Sequence, residues 1–104
     1  MIYPLRVNIP RATMEKASEL KQYIFDTLEQ RGPKIIIDLS QSEFVDSTIL
    51  GVLVSSLKRA KAAGGNLILV WDDQTESSMF YITRMDKVFT IRNDLESALA
   101  EFEN

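Results

Sequence analysis

Three consecutive residues with side-chain oxygens, Asp46, Ser47 and Thr48, stand immediately before a long helix-forming stretch. A hydroxyl group in such a place can cap a helix, attack a substrate as a nucleophile or accept a phosphoryl group. A serine nucleophile needs a base close by, and the 104 residues include no histidine and no cysteine. Ser-His-Asp triads, thiolate catalysis, disulfides and zinc sites made of thiolate or imidazole are therefore excluded. Because only a lysine could act as the base, we expect that the protein is not an enzyme.

Two other groups of residues could bind ligands, and each has a simpler interpretation. Asp72 and Asp73 follow a predicted strand, where a hard cation could in principle bind, but a solvated turn is preferred. Lys58, Arg59 and Lys61 are interpreted as a solvated helix end, because a net charge of −3 does not favour attraction to nucleic acid or anionic lipid. Glycine-rich phosphate-binding motifs are absent from the sequence. We therefore expect no cofactor, no metal ion and no nucleic-acid partner.

The composition is typical of one globular domain, with 45% hydrophobic and 26% charged residues. A chain of this length fits a single core, and we expect one domain over residues 1–104. The N-terminal sequence MIYPLRVNIPRA lacks the basic and apolar regions of a secretory signal. No apolar stretch approaches the roughly 20 residues that a membrane-spanning helix needs. We expect a cytoplasmic protein without membrane insertion.

The elements that must position the Asp-Ser-Thr triplet alternate along the chain. Apolar residues at every second position predict strands, and apolar residues three and four apart predict helices. The resulting order is β-α-β-α-β-α-β-α, which predicts an α/β fold with a mostly parallel sheet of four to five strands covered by helices. The predicted strands are 2–10, 34–39, 66–71 and 87–91, and the predicted helices are 13–31, 46–63, 76–86 and 93–102.

Two of these strands have distinct predicted places in the sheet. Ile35, Ile36 and Ile37 are consecutive, so both faces of their strand are apolar and the strand is predicted to be central. Pro4 and Pro10 lack amide protons, which places the first strand at an edge or shortens its pairing.

The predicted helix that starts near Asp46 must begin beyond the carboxyl ends of the strands, where open α/β sheets meet their ligands and partners. If Asp46 is the N-cap, Val45 and Leu50 form a hydrophobic staple and the hydroxyl of Ser47 faces solvent. If Ser47 is the cap, its hydroxyl is engaged. Since Asp, Ser and Thr are all common at helix starts, the triplet by itself assigns no function.

The pattern from the central strand onward resembles the signature of the STAS domain, as found in bacterial anti-sigma factor antagonists. Residues 79–102 also resemble the last two helices and the short strand of that family. Ile49 replaces a glycine that the family often has, and one N-terminal strand stands where the family usually has two. The matching elements are Asp38-Leu39-Ser40, Asp46-Ser47-Thr48, Leu50-Gly51 and Gly64-Gly65.

The resemblance implies a switch controlled by phosphorylation. The unphosphorylated protein would bind a partner that is both an anti-sigma factor and a serine kinase, and thereby regulate transcription. That kinase would phosphorylate Ser47 and end the binding, and a serine phosphatase would reset the cycle. The residues expected to contact the partner are Asp38, Asp46, Ser47, Thr48 and Ile49.

Two alternatives remain beside this hypothesis. The protein could be an unmodified STAS scaffold subunit, for example in a lipid-transport ATPase complex. It could also be an enzyme that uses Ser47 as a nucleophile, although no base is evident. The complete Asp-Ser-Thr triplet favours the phosphorylation switch.

Overall fold

The computed structural model describes residues 3–6, 11–12, 14–39, 44–45, 47–71 and 84–103, and the following account concerns these residues. A short 3₁₀ helix, Met85–Lys87, precedes the last strand. The strands are β1 (Tyr3–Arg6), β2 (Arg11–Ala12), β3 (Lys34–Asp38), β4 (Phe44–Val45), β5 (Asn66–Val70) and β6 (Thr90–Arg92). The α-helices are α1 (Met14–Arg31), α2 (Ser47–Ala62) and α3 (Leu95–Glu103).

The main sheet has the strand order β1-β3-β5-β6, and every described pair in it is parallel. The predicted α/β fold with a parallel sheet is therefore confirmed. β1 lies at an edge, which suits Pro4 because an edge strand needs fewer amide donors. β3 and β5 form the centre of the sheet, with Ile36 opposite Ile68.

The two faces of the sheet carry separate apolar clusters, because successive side chains of a strand point to opposite sides. On one face, Ile35 and Ile37 of β3 pack with the buried sides of α1 and α2. On the other face, Ile36 packs with Ile68, Val70 and Ala98, and α3 covers this cluster. The three consecutive isoleucines are completely buried, as their apolar run predicts for a strand covered on both faces.

Apolar residues three and four apart predict the core-facing side of each helix, and in the described helices these residues are buried or half-buried. Ala17, Leu20, Ile24 and Leu28 of α1 are all buried. In α2, Leu50, Leu53 and Leu57 are buried and Val54 is half-buried against the same cluster. In α3, three apolar residues with the same spacing pack on the second cluster: Leu95, Leu99 and Phe102.

Glycines end the two long helices, and an aspartate caps the last one. Gly32 and Gly64 adopt φ values of +101° and +88°, which residues with a side chain rarely adopt. Asp94 caps α3, since its carboxylate accepts a 2.7 Å hydrogen bond from the amide of Ser97. This bond and the Ser97 hydroxyl lower the pKa of Asp94 below its ordinary value.

The last strand begins later than predicted. The amides of Val88 and Phe89 both donate to the carbonyl oxygen of Met85, so these residues close a turn and β6 begins only at Thr90. Most of the predicted helix 76–86 lies outside the described residues, as do Asp72, Asp73 and Thr13, the first residue of the predicted helix 13–31.

Candidate functional site

Helix α2 presents the side chains of Ser47 and Thr48 at its first turn. α2 begins at Ser47, and both residues are exposed. The next two residues, Ile49 and Leu50, are buried in the core beneath them. Ser47 is thus the first helical residue, which is the position that it takes if Asp46 is the N-cap. Asp46 itself lies outside the described residues. The two exposed hydroxyl-bearing residues stand on a helix turn that the core holds in place.

A second, two-stranded sheet leads into this helix. β2 pairs with β4 in parallel, with Arg11 opposite Phe44 and Ala12 opposite Val45. α1 begins at Met14 and α2 at Ser47, each two residues after its strand. The pairing therefore places the starts of the two helices side by side. Strands of two residues have no periodicity to detect, which is why the sequence did not predict this sheet.

The backbone amides at the start of α2 contribute partial positive charge. The first turn of α2 contains no acidic residue, and the unpaired amides of a helix start carry partial positive charge. At the opposite end, Arg59 and Lys61 complement the partial negative charge of the last turn. An anionic group added to the side chain of Ser47 would therefore meet a favourable helix field.

Two of the residues that are predicted to contact a partner have buried side chains. Asp38 is 4% exposed at the end of β3, and Ile49 is completely buried. Ile49 faces the core because the third residue of α2 falls on the same side of the helix as Leu53 and Leu57. In this conformation neither side chain is exposed at the surface, and the expected contacts of Asp38 and Ile49 with a partner stay a prediction.

The exposed face of α2 that begins at Ser47 includes further residues that were not predicted from the sequence. Gly51 and Ser55 follow at four-residue intervals, and both are exposed. A Cβ added to Gly51 would meet no atom within 4 Å, so the core does not require a glycine here. The four-residue spacing from Ser47 is the signal that could have identified this face.

The single tryptophan stands near the carboxyl ends of the strands. Trp71 directly follows β5, and its amide donates a 3.0 Å hydrogen bond to the carbonyl oxygen of Arg92. Its side chain is half-buried against the first apolar cluster. Its fluorescence can therefore report on the packing of this part of the core.

The acidic side chains and the helices of the described ranges bear on two other kinds of site. Within those ranges, no group of His, Cys, Asp and Glu side chains could hold a metal ion. The described helices also include none that is long and apolar enough to cross a membrane.

Comparison with known proteins identifies relatives of the whole fold. A family model for the STAS domain matches residues 11–98. A protein of Thermotoga neapolitana, named as a candidate anti-sigma factor antagonist, is 33% identical over 91 residues, which are 86% of this chain and 80% of that protein. The crystal structure of a candidate anti-sigma factor antagonist from Thermotoga maritima matches with a TM-score of 0.76 and 28% identity, covering 98% of this chain and 82% of that one. An anti-sigma factor antagonist from Mycobacterium paratuberculosis matches with a TM-score of 0.79 and 26% identity, covering 90% and 80%.

Proposed function

Because the chain belongs to the STAS domain family, we propose that it is an anti-sigma factor antagonist that is switched off by phosphorylation of Ser47. In the unphosphorylated state it binds an anti-sigma factor that is also a serine kinase, and thereby frees a sigma factor for transcription. The kinase uses ATP to phosphorylate Ser47, and a serine phosphatase removes the phosphate. The names of the relatives support the antagonist role, and the position of Ser47 supports the switch.

The observation that carries the proposal is the exposure of Ser47 at the first position of α2. A kinase must reach the hydroxyl oxygen, and an exposed side chain at a helix start permits this. Ile49 and Leu50 anchor the same turn in the core, so that modification of Ser47 does not require the helix to move. The modification would therefore change the surface charge and leave the fold unchanged.

The expected effect on binding follows from the charge of the phosphate group. Phosphorylation adds about 1.5 to 2 negative charges near neutral pH. Within the free protein, the helix start of α2 partly offsets this charge. In a complex, a partner surface that fits a neutral hydroxyl would have to desolvate the phosphate without a matching cation. A penalty of about 3–4 kcal/mol would weaken binding more than a hundredfold, since each ~1.4 kcal/mol is a factor of ten.

The phosphorylation site is tested by incubation of the protein with candidate serine kinases of the same organism and ATP, followed by mass mapping. We expect one phosphate, at Ser47. Ser47→Ala should abolish the modification, whereas Ser55→Ala, which removes another exposed serine of α2, should leave it intact. Phosphate on Thr48 or elsewhere, with Ser47 unmodified, would refute the site assignment.

The charge mechanism is tested by the affinity of the same kinase for three variants in a nucleotide-free binding assay. We expect Ser47→Ala to bind like the unmodified protein and Ser47→Asp to bind at least tenfold more weakly. Ser55→Asp adds the same charge two turns away on the exposed face of α2, and it serves as the matched control. Equal loss of affinity in both aspartate variants would show a general charge effect and contradict a switch at Ser47.

A further inference from the structure

Half of the basic residues lie at the end of the molecule opposite Ser47. All of the basic residues in this group are exposed, although the whole chain has a net charge of −3. Among the acidic side chains whose positions are described, Glu29 lies within the group, and its carboxylate is paired with Arg59 at 3.2 Å. We call this group the basic pole, and its members are Arg31, Lys34, Lys58, Arg59, Lys61 and Lys87.

Four chain segments bring these residues together at the amino ends of the strands. α1 and α2 end there, and the Arg59–Glu29 ion pair joins their last turns. The amide of Asn66 donates a 3.0 Å hydrogen bond to the carbonyl oxygen of Pro33, so the start of β5, which closely follows the end of α2, adjoins the start of β3. Lys87 stands just before β6, the neighbour of β5. The pole is therefore a continuous surface and not a run of charges along one helix.

The charges of the pole are mostly lysines that have no other role in the fold. Among the described residues, the ammonium groups of Lys34, Lys58, Lys61 and Lys87 make no hydrogen bond or ion pair. Arg59 differs, because it pairs with Glu29 and lies 4.7 Å from the ring centre of Phe25. Lysine is a strongly hydrated point charge, which suits mobile anionic groups better than a fixed bidentate acceptor.

Apolar surface accompanies these lysines. Val88, which directly follows Lys87, is 44% exposed and is one of two large apolar side chains that are exposed among the described residues. Ala62 and Ala63, at the end of α2, are exposed as well. The pole thus combines positive charge with a small apolar area.

The acidic remainder of the molecule does not cancel this local field. The protein measures 33 × 29 × 22 Å, whereas the screening length at physiological salt is about 8 Å. A surface that approaches the pole therefore experiences the local lysines more strongly than the net charge. The proposal below therefore differs from the sequence-based expectation, which rested on the net charge of −3 alone.

We propose that the basic pole binds the anionic headgroups of a lipid bilayer surface. Nucleic acid fits less well, because the described residues there include no exposed aromatic side chain for base stacking. Along α2, Ser47 stands about 17 Å from Lys58 and about 21 Å from Lys61, since a helix rises 1.5 Å per residue. The protein lies peripherally on the bilayer, with Ser47 facing away from it.

The test uses sedimentation of the full chain with sucrose-loaded vesicles. Vesicles of phosphatidylcholine with one-third phosphatidylglycerol are compared with vesicles of phosphatidylcholine alone. We expect binding only to the anionic vesicles, and loss of binding at about 0.5 M salt, where charges are strongly screened. Equal binding to both vesicle types, or no binding to either at low salt, would overturn the proposal.

Two matched variants locate the surface. Lys34→Glu reverses a charge within the pole, and Lys21→Glu reverses an exposed charge in the middle of α1. Since each basic residue near an anionic membrane strengthens binding about fivefold, we expect Lys34→Glu to weaken it by roughly twentyfold and Lys21→Glu by less than about fivefold. Circular dichroism of both variants checks that they are folded. Equal effects of the two variants would refute the assignment to the pole.

Two further controls separate this proposal from other interpretations. Ser47→Asp should bind the vesicles like the unmodified protein, so that a failure of the phosphorylation switch leaves this result unaffected. Polyaspartate serves as a probe for an acidic protein partner. Binding to polyaspartate without binding to the anionic vesicles would assign the pole to an acidic protein and overturn the membrane proposal.

Discussion

The substitution Gly65→Ala should be one of the most damaging single-methyl additions in this protein. Gly65 lies between α2 and β5, and its amide donates a 2.9 Å hydrogen bond to the carbonyl oxygen of Ala60. A Cβ at this position would stand 2.6 Å from the Cβ of Pro33 and closer still to the Pro33 carbonyl group. Pro33 is fixed in turn, because its carbonyl oxygen accepts the amide hydrogen of Asn66 at 3.0 Å. The clash can be relieved only by moving backbone that joins α2, β3 and β5.

The expected loss of stability follows from these contacts. Overpacking typically costs about 1–3 kcal/mol, and loss of the Asn66–Pro33 hydrogen bond adds about 1 kcal/mol. We therefore expect Gly65→Ala to lower the free energy of unfolding by about 2–4 kcal/mol, out of a total of about 5–15 kcal/mol. Urea denaturation followed by Trp71 fluorescence measures this difference.

Gly64→Ala is the matched control, because the neighbouring glycine has open space around its Cβ position. Its φ of +88° strains a side chain by about 1–2 kcal/mol, and the reduced freedom of the unfolded chain offsets about 0.4–1 kcal/mol of this. We expect a net loss near 1 kcal/mol or less. If Gly65→Ala proves as stable as Gly64→Ala, the close approach of Gly65 to Pro33 does not constrain the fold and the reasoning is refuted.

Three further predictions concern two of the helices and the central strand. Gly51→Ala should raise the free energy of unfolding by about 0.5–1 kcal/mol, because alanine is the better helix former and its Cβ meets no atom; a lower urea midpoint would contradict this. Ile36→Ala should lower the free energy of unfolding by about 2–5 kcal/mol, because the side chain is completely buried between the sheet and α3. A loss below about 1 kcal/mol would mean that the surrounding side chains collapse readily into the cavity. Asp94→Asn should reduce the acid sensitivity of the fold. The lowered pKa of Asp94 means that its carboxylate stabilises the protein above the unfolded pKa of about 4, and that this contribution disappears as the pH falls through the folded pKa. Unfolding midpoints at pH 6 and in acid, compared between the two proteins, test this, and an identical acid-induced decrease would refute it.

The sequence predicted the central features of the fold because they depend on strong local patterns. The three consecutive isoleucines of β3 indicate a strand covered on both faces, and the four-residue apolar spacing of α1 identifies its buried side. Glycines predict the ends of both long helices, since Gly32 and Gly64 supply the positive φ values that end them. Each of these features follows from residues that are neighbours in the chain.

Features that depend on tertiary contacts were predicted less well. The pairing of β2 with β4 joins distant segments of two residues each, and such segments have no recognisable pattern. The late start of β6 depends on two amides that share the carbonyl oxygen of Met85, and the apolar residues Val88 and Phe89 give no sign of this turn.

In the candidate site, too, features set by local sequence patterns were predicted and features set by tertiary contacts were not. The place of Ser47 at the start of α2 follows from the local helix signal, and its exposure fits that position. The burial of Ile49 does not follow from the triplet, because it depends on which face of α2 the sheet covers. Reading the apolar stripe of α2 back to its first turn, four residues before Leu53, would have placed Ile49 in the core.

The pairing of β2 with β4 also bears on which form of the chain, folded or unfolded, the proposed kinase would recognise. The strand that leads into Ser47 is held by residues from a different part of the chain, so a short peptide around Ser47 does not carry the geometry of the site. A kinase that reads this geometry would ignore the nascent or denatured polypeptide and modify the completed domain alone. Phosphate on Ser47 would then be present only on folded molecules, in addition to setting the state of the proposed switch.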